Sequence, residues 1–87
     1  MKIGLDYDGT YTKDPELWDA FIKMAHERGH LVTCITARHS HEPTNPMPCD
    51  VQYTGRKAKQ VYINEANMQI DIWIDDNPWF IFQGYSA

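Results

Sequence analysis

Two aspartates, Asp6 and Asp8, follow a short apolar run near the start of the chain, with one residue between them. Side chains at positions i and i+2 of an extended segment point to the same side, so these carboxylates can converge on one point. Carboxylates this close repel each other unless a cation lies between them. Mg²⁺, which combines one or two protein carboxylates with water and phosphate oxygens, suits the pair. The alternative is a plain Asp-Gly turn, in which Gly9 lets the backbone bend sharply.

A second acidic pair, Asp75 and Asp76, ends another apolar run. The segments around both pairs have the composition of strands and helices. We predict strands over residues 2–7, 31–36, 51–54, 70–75 and 79–82. We predict a helix that begins at Pro15 after the N-cap Asp14, and a second over residues 57–67. The three prolines in residues 37–50 predict a long loop, and a loop of this length hints at function.

This order of elements predicts one α/β domain over residues 1–87, with a mainly parallel sheet of about five strands and helices on its faces. In such sheets, ligands bind beyond the carboxyl ends of the strands. Both acidic pairs and Thr36 follow predicted strands, so three separate segments deliver polar groups to one edge. The sequence therefore predicts a site at that edge.

Composition limits the functional classes. The chain has 87 residues, 43% of them hydrophobic, and a formal net charge of -4. It has no basic patch, which argues weakly against tight nucleic-acid binding without excluding it. No apolar run is long enough to span a membrane, and Cys34 lies in a strand pattern typical of a small core residue. We expect a cytoplasmic protein whose small core makes association with a second copy plausible.

With these residues in place, the sequence resembles the haloacid dehalogenase superfamily of phosphotransferases over nearly its whole length. Residues 6–10 match the first motif, Asp-x-Asp-x-Thr, and Thr36 at the end of an apolar strand matches the second. A lysine that opens the next helix matches the third motif, and Asp75 with Asp76 matches the acidic fourth. The resemblance implies a Rossmann-like fold and Mg²⁺-dependent phosphomonoester hydrolysis through an aspartyl-phosphate.

The resemblance also implies a role for each motif residue. Asp6 would be the nucleophile, and Asp8 would protonate the leaving oxygen, activate the hydrolytic water and ligate the metal through its backbone carbonyl. Thr36 and a lysine would stabilise the phosphoryl oxygens. The metal set would be Asp6, Asp8, Asp75 and Asp76, with Asp76 as the direct ligand of the last pair and Asp75 in a supporting position. The substrate contacts would be Gly9, Thr10, Ala37 and Arg38.

Some assignments stay open at the level of sequence. We favour Lys57 as the motif lysine because it lies nearer the helix start, with Lys59 as a serious rival; both could instead be solvated. Thr36 could be an ordinary β-branched strand residue. Zinc binding by His39, His41 and Cys49 is disfavoured, since their spacing fits no standard site. Trp79 could stack on a substrate ring, although core packing is the favoured role.

Three residues separate Thr10 from the cap of the first helix, which leaves no room for the family's usual flap or an inserted cap domain. The catalytic edge is therefore expected to be open, as in capless members that act on large substrates. A phosphorylated substrate, possibly large, is the expected partner. Two alternatives are retained: a non-catalytic or regulatory metal-binding module and, less favoured, a receiver-like domain that accepts a phosphoryl group.

Overall fold

The computed structural model describes residues 1–85, so residues 86 and 87 of the predicted single domain lie outside the described residues. Residues 1–85 form four β-strands and three α-helices. They are β1 (Lys2–Leu5), α1 (Pro15–Glu27), β2 (Leu31–Thr36), β3 (Asp50–Tyr53), α2 (Lys59–Glu65), β4 (Ile72–Ile74) and α3 (Trp79–Phe82). Strand β2 is followed directly by β3, without a helix between them. A single 3-10 turn, Tyr11–Lys13, connects the end of the β1 segment to α1. The fold is α/β, as predicted.

The four strands form one parallel sheet in the order β3-β2-β1-β4. Leu5 at the end of β1 is in register with Cys34 of β2 and with Ile74 of β4. The segments that follow β1 and β4 therefore leave the sheet side by side, at the same edge. This register brings together the two segments that carry the acidic pairs, although about seventy residues of chain separate them.

The predicted fifth strand, over residues 79–82, is wrong, because Trp79–Phe82 forms the short helix α3. A short apolar run has no periodicity that separates a strand from a buried helical turn. Pro78 decides the conformation here: its φ of -63° and ψ of -13° lie in the helical region, and the backbone N–H of Phe80 donates to the carbonyl of Asn77. The described sheet consequently has four strands rather than about five.

The first helix begins where the sequence predicts. The carboxylate of Asp14 accepts a hydrogen bond from the backbone N–H of Leu17 at 3.2 Å, and Pro15 occupies the first helical position. The second helix is shorter than predicted, Lys59–Glu65 instead of residues 57–67, and β4 is also shorter than its predicted range.

The core lies between α1 and the sheet. Fully buried side chains include Leu5 from β1, Ile22 from α1 and Val32 from β2. Burial of each such side chain contributes roughly 1.5–3 kcal/mol, so these contacts hold the sheet edge in position. Cys34 is also fully buried and not disulfide-bonded, which confirms its predicted place in the core. Among the described residues, no helix has the length and hydropathy needed to cross a membrane.

Candidate active site

Three carboxylates meet at the edge of the sheet. Asp6 follows β1 and is only 7% exposed, while Asp75 and Asp76 follow β4. One oxygen of each side chain lies within 4.8 Å of the others, close enough for all three to ligate one ion. We refer to Asp6, Asp75 and Asp76 as the acidic cluster. The prediction that the two strand ends bring acids together is confirmed for these three residues.

The lysine that contacts the acidic cluster is Lys59. Its Nζ lies 2.7 Å from Asp6 Oδ1 and 2.6 Å from Asp75 Oδ2, and its side chain is 1% exposed. The structure therefore contradicts the preference for Lys57, whose Nζ lies 2.9 Å from the exposed carboxylate of Glu65. The reason is the late start of α2: the chain is still a turn at Lys57, and the first helical residue, Lys59, faces the sheet edge.

Burial sets the charge state of this group. Removal from water raises the pKa of Asp6 to about 7, although Lys59 partly offsets the shift. Burial also disfavours the charged form of Lys59, but its contacts with Asp6 and Asp75 outweigh that effect and raise its pKa. Three carboxylates thus face one ammonium group, and two negative charges are left when all are ionised. A divalent cation would neutralise them.

Thr10 and Gly9 support the acidic cluster. The hydroxyl of Thr10 lies 2.9 Å from Asp6 Oδ2 and 3.2 Å from Asp76 Oδ1, and it accepts a hydrogen bond from the backbone N–H of Asp76. Gly9 has a φ of +85°, and a Cβ on it would lie 2.5 Å from Asp76 Oδ2. These two residues were predicted as substrate contacts; the structure gives them contacts that position the acids.

Asp8 lies apart from the acidic cluster. Its two carboxylate oxygens accept hydrogen bonds from Nε and Nη2 of Arg38, at 2.9 and 2.8 Å. The hydrogen bonds from Arg38 lower the pKa of Asp8, and those same bonds raise the pKa of Arg38. The Asp8 carboxylate is thus paired with Arg38 and does not join the acidic cluster, so the expected convergence of the Asp6 and Asp8 carboxylates is not observed. Ligation of a metal through the Asp8 backbone carbonyl stays a prediction.

Arg38 also joins Asp8 to the proline-rich loop. Its Nη1 donates to the carbonyl of Pro43 at 3.2 Å, and its guanidinium lies 5.0 Å from the centre of the Tyr7 ring. The Tyr7 hydroxyl accepts a hydrogen bond from the backbone N–H of Asn45. The loop between β2 and β3 therefore packs beside Asp8 and is held there by these contacts.

A cavity of about 170 Å³ opens next to these groups. Thr36 reaches it from the end of β2, where the side chain is 1% exposed and its Oγ1 accepts from the backbone N–H of Arg38 at 3.3 Å. Ala37 lines the same cavity, as its predicted role requires. The full lining is Asp6, Asp8, Thr36, Ala37, Asp75, Asp76, Asn77, Phe80 and Tyr85.

Sequence reasoning missed the last three lining residues. The backbone N–H of Asn77 donates to Asp75 Oδ1 at 3.0 Å, and Phe80 follows four residues after the acidic pair. Closeness to Asp76 along the chain was a usable signal for Phe80, but no local pattern points to Tyr85. The favoured core role of Trp79 is wrong, since this side chain is 70% exposed.

The donor set fits a hard divalent cation. Carboxylate oxygens are the ligands that Mg²⁺ prefers, and the acidic cluster carries more negative charge than Lys59 balances. Both oxygens of Asp75 already accept hydrogen bonds, from Lys59 and from Asn77. Among residues 1–85, Asp76 Oδ2 accepts no hydrogen bond, so Asp76 is the freer ligand of the pair.

No family model matches the chain, and the comparisons with curated proteins and with solved structures likewise give no match. The resemblance to the haloacid dehalogenase superfamily thus stays a prediction that rests on the motif residues. Function is inferred from the geometry of the acidic cluster, Lys59 and the adjoining cavity.

Proposed function

We propose that this protein is a Mg²⁺-dependent phosphohydrolase that cleaves phosphate monoesters through an aspartyl-phosphate on Asp6. The observation that carries the proposal is the acidic cluster with Lys59 at the carboxyl edge of the parallel sheet, next to a cavity that Thr36 also lines. Such edges are where α/β sheets bind ligands. The combination supplies a nucleophile, a cation site and hydroxyl and ammonium groups for phosphoryl oxygens.

Asp6 and Asp76 would hold Mg²⁺, with Asp75 supporting Lys59. The cation would supply positive charge to the phosphoryl oxygens and reduce their repulsion with the attacking carboxylate. Lys59 would add a second positive charge that the fold already fixes in place. The buried hydroxyl of Thr36 would donate a hydrogen bond to a phosphoryl oxygen.

Two displacements complete the proposed reaction. In the first, an oxygen of Asp6 bonds to phosphorus, the bond from phosphorus to the ester oxygen breaks, and Asp8 gives that oxygen a proton. In the second, Asp8 takes a proton from water, whose oxygen attacks phosphorus and releases Asp6 and inorganic phosphate. Asp8 is ionised in its pair with Arg38, so it would take up one proton from solvent once substrate has displaced it from Arg38. It would give that proton to the ester oxygen and regain one from water, so the protons balance over a cycle.

The ion pair with Arg38 bears on this role of Asp8. A guanidinium binds a phosphate dianion in the same two-pronged way as it binds a carboxylate. A phosphate ester that entered the cavity would compete for Arg38 and release Asp8 from its two hydrogen bonds. Substrate binding would thereby place Arg38 on the phosphate and free Asp8 for proton transfer.

A metal-binding module without turnover is the second candidate. The observation that favours it is that Arg38 hydrogen-bonds both oxygens of the Asp8 carboxylate, so the proposed proton donor is already engaged. The receiver-like alternative is disfavoured by the strand order β3-β2-β1-β4, since receiver domains of the CheY type place β1 between β2 and β3.

Release of p-nitrophenol from p-nitrophenyl phosphate tests the proposal. We expect turnover that requires Mg²⁺, stops with EDTA and returns when excess Mg²⁺ is added. A catalytically dead protein that still binds Mg²⁺ would support the second candidate. Turnover that is undiminished by EDTA would rule out the cation-dependent mechanism.

A further inference from the structure

Two aromatic rings form one wall of the cavity beside the acidic cluster. Phe80 from α3 and Tyr85 from the C-terminal segment both line it, together with Asp6 and Asp76. Their ring centres lie 3.8 Å apart and their planes differ by 11°, so the rings are stacked face to face. Rings thus supply part of the cavity lining, whereas most of the other lining side chains are acids.

The chain holds this pair of rings in place. The backbone N–H of Phe80 donates to the carbonyl of Asn77, directly after the acidic pair, and the backbone N–H of Tyr85 donates to the carbonyl of Arg56 at 3.0 Å. The other aromatic residues of α3 face away: Trp79 is 70% exposed and Phe82 is 72% exposed, while Phe80 is half-buried. Only one of the three α3 aromatics therefore contributes to this cavity.

The size of the cavity limits what can enter with a phosphate group. At about 170 Å³ it is smaller than the roughly 300–1,000 Å³ of sites that enclose a whole small molecule. A phosphate with one ring attached directly to its ester oxygen would bring that ring to the aromatic wall. In a nucleotide the ribose intervenes between phosphate and base, so the base would lie outside.

We propose that the cavity selects phosphate monoesters of phenols, with the substrate ring packed against Phe80 and Tyr85. This inference rests on the proposed function and names its substrate class. Aromatic pairs gain free energy beyond that of the area they bury, which an aliphatic leaving group of equal size does not gain. The ester could come from a free phenol or from a tyrosine side chain, since both present the same ring and phosphate.

Phosphonates separate recognition of the ring from leaving-group chemistry, because they bind without being cleaved. We would measure Kd for phenylphosphonate and cyclohexylphosphonate by calorimetry with the Mg²⁺-loaded wild-type protein. An aryl phosphonate loses its second proton more readily than an alkyl one, so each Kd would be expressed for the dianion of the probe. The two dianions have the same charge and similar size, and their difference then reports the aromatic wall. We expect phenylphosphonate to bind roughly 3- to 10-fold more tightly.

Two variants assign that preference to the wall. Phe80→Leu should reduce the ratio of the two Kd values to below about 2-fold, because it removes the ring that anchors the stack. Trp79→Leu, on the exposed side of the same helix, is the matched control and should leave the ratio unchanged. The wild-type comparison decides the question by itself if Phe80→Leu does not fold.

The outcomes distinguish this inference from the function on which it rests. Equal Kd values for the two phosphonates, in a protein that hydrolyses p-nitrophenyl phosphate, would overturn the substrate class and leave the phosphatase intact. Failure to bind either phosphonate or to hydrolyse any ester would overturn both. Where the phenyl preference holds, kcat/KM for a phosphotyrosine peptide against phenyl phosphate identifies the source: a higher value for the peptide indicates a protein substrate.

Discussion

Two ion pairs at the same sheet edge have similar geometry but different surroundings. Lys59 contacts Asp6 and Asp75 at 2.7 and 2.6 Å, with all three side chains exposed by less than a tenth. Arg38 contacts Asp8 at 2.8 Å, but its side chain is 31% exposed and that of Asp8 is 56% exposed. The distances differ little, whereas access to water differs greatly.

This difference assigns the two pairs different roles. Loss of one member of a buried pair strands a charge in a poorly solvated place and costs roughly 3–5 kcal/mol, whereas an exposed pair contributes at most about 1 kcal/mol. The Lys59 group is thus part of the fold as well as of the site. The pair between Arg38 and Asp8 can open at little cost in free energy. Asp8 needs this freedom if it is to exchange protons with a substrate.

The largest expected effect, on stability and on turnover, comes from disruption of the buried contacts of Lys59. Lys59→Met should lower the free energy of unfolding of the metal-free protein by roughly 3 kcal/mol, because it strands Asp6 and Asp75, and it should abolish turnover. Lys57→Met is the matched control, since Lys57 pairs with the exposed Glu65, and should change stability by about 0.5 kcal/mol or less. Urea denaturation measures both; equal losses would contradict the comparison.

Substitutions of the two acids after β4 should affect Mg²⁺ affinity and the free energy of unfolding to different extents. We expect Asp76→Asn to weaken Mg²⁺ binding by roughly 100-fold, since Asp76 is the freer ligand, and Asp75→Asn to weaken it by about tenfold. Asp75→Asn should instead cost more stability, because it removes a charged partner of Lys59. Calorimetric Mg²⁺ titration and urea denaturation of both variants test this; the reverse order of affinities would exchange the two roles.

The exposed pair should matter for activity and little for stability. Arg38→Gln should lower kcat/KM by roughly 10- to 100-fold, chiefly through KM, because the substrate phosphate loses its guanidinium. The free energy of unfolding should change by about 1 kcal/mol or less. Arg28→Gln at the end of α1 is the control. A loss of stability as large as that of Lys59→Met would show that exposure does not separate the two pairs.

A change of pH is expected to have a smaller effect, on the affinity for Mg²⁺. The raised pKa of Asp6, about 7, means that a proton competes with Mg²⁺ below that pH, since the cation needs the ionised carboxylate. Mg²⁺ affinity should therefore fall by about tenfold from pH 8 to pH 6 and level off above pH 8. Titrations at several pH values check this; an unchanged affinity would mean that Lys59 keeps Asp6 ionised throughout.

The parts of the fold that follow local rules were predictable. Asp14 and Pro15 specify the start of α1 through their own side-chain and backbone chemistry, and the apolar run over residues 31–36 has strand composition. The acidic cluster was also predictable, because the carboxyl ends of neighbouring parallel strands share an edge. These inferences need only short segments and the topology of a parallel sheet.

The errors have long-range or subtle causes. Lys57 and Lys59 lie two residues apart, and the exact start of α2, which decides between them, depends on tertiary contacts. The Asp-x-Asp spacing predicted that the Asp6 and Asp8 carboxylates converge, whereas the position of the Asp8 carboxylate depends on Arg38, thirty residues away. Pro78 has helical backbone angles and precedes α3, and that helix places Phe80 at the cavity.

The central claim is that Asp6 attacks phosphorus, and trapping of the phosphoryl group tests it most directly. Wild-type protein would be mixed with Mg²⁺ and a reactive phosphoryl donor in a single turnover, quenched in acid and analysed by peptide mass spectrometry. We expect phosphate on Asp6 in the wild type, a longer-lived adduct on Asp6 in Asp8→Asn, and none in Asp6→Asn. An adduct on Asp8, or full turnover by Asp6→Asn, would contradict the assignment of the nucleophile.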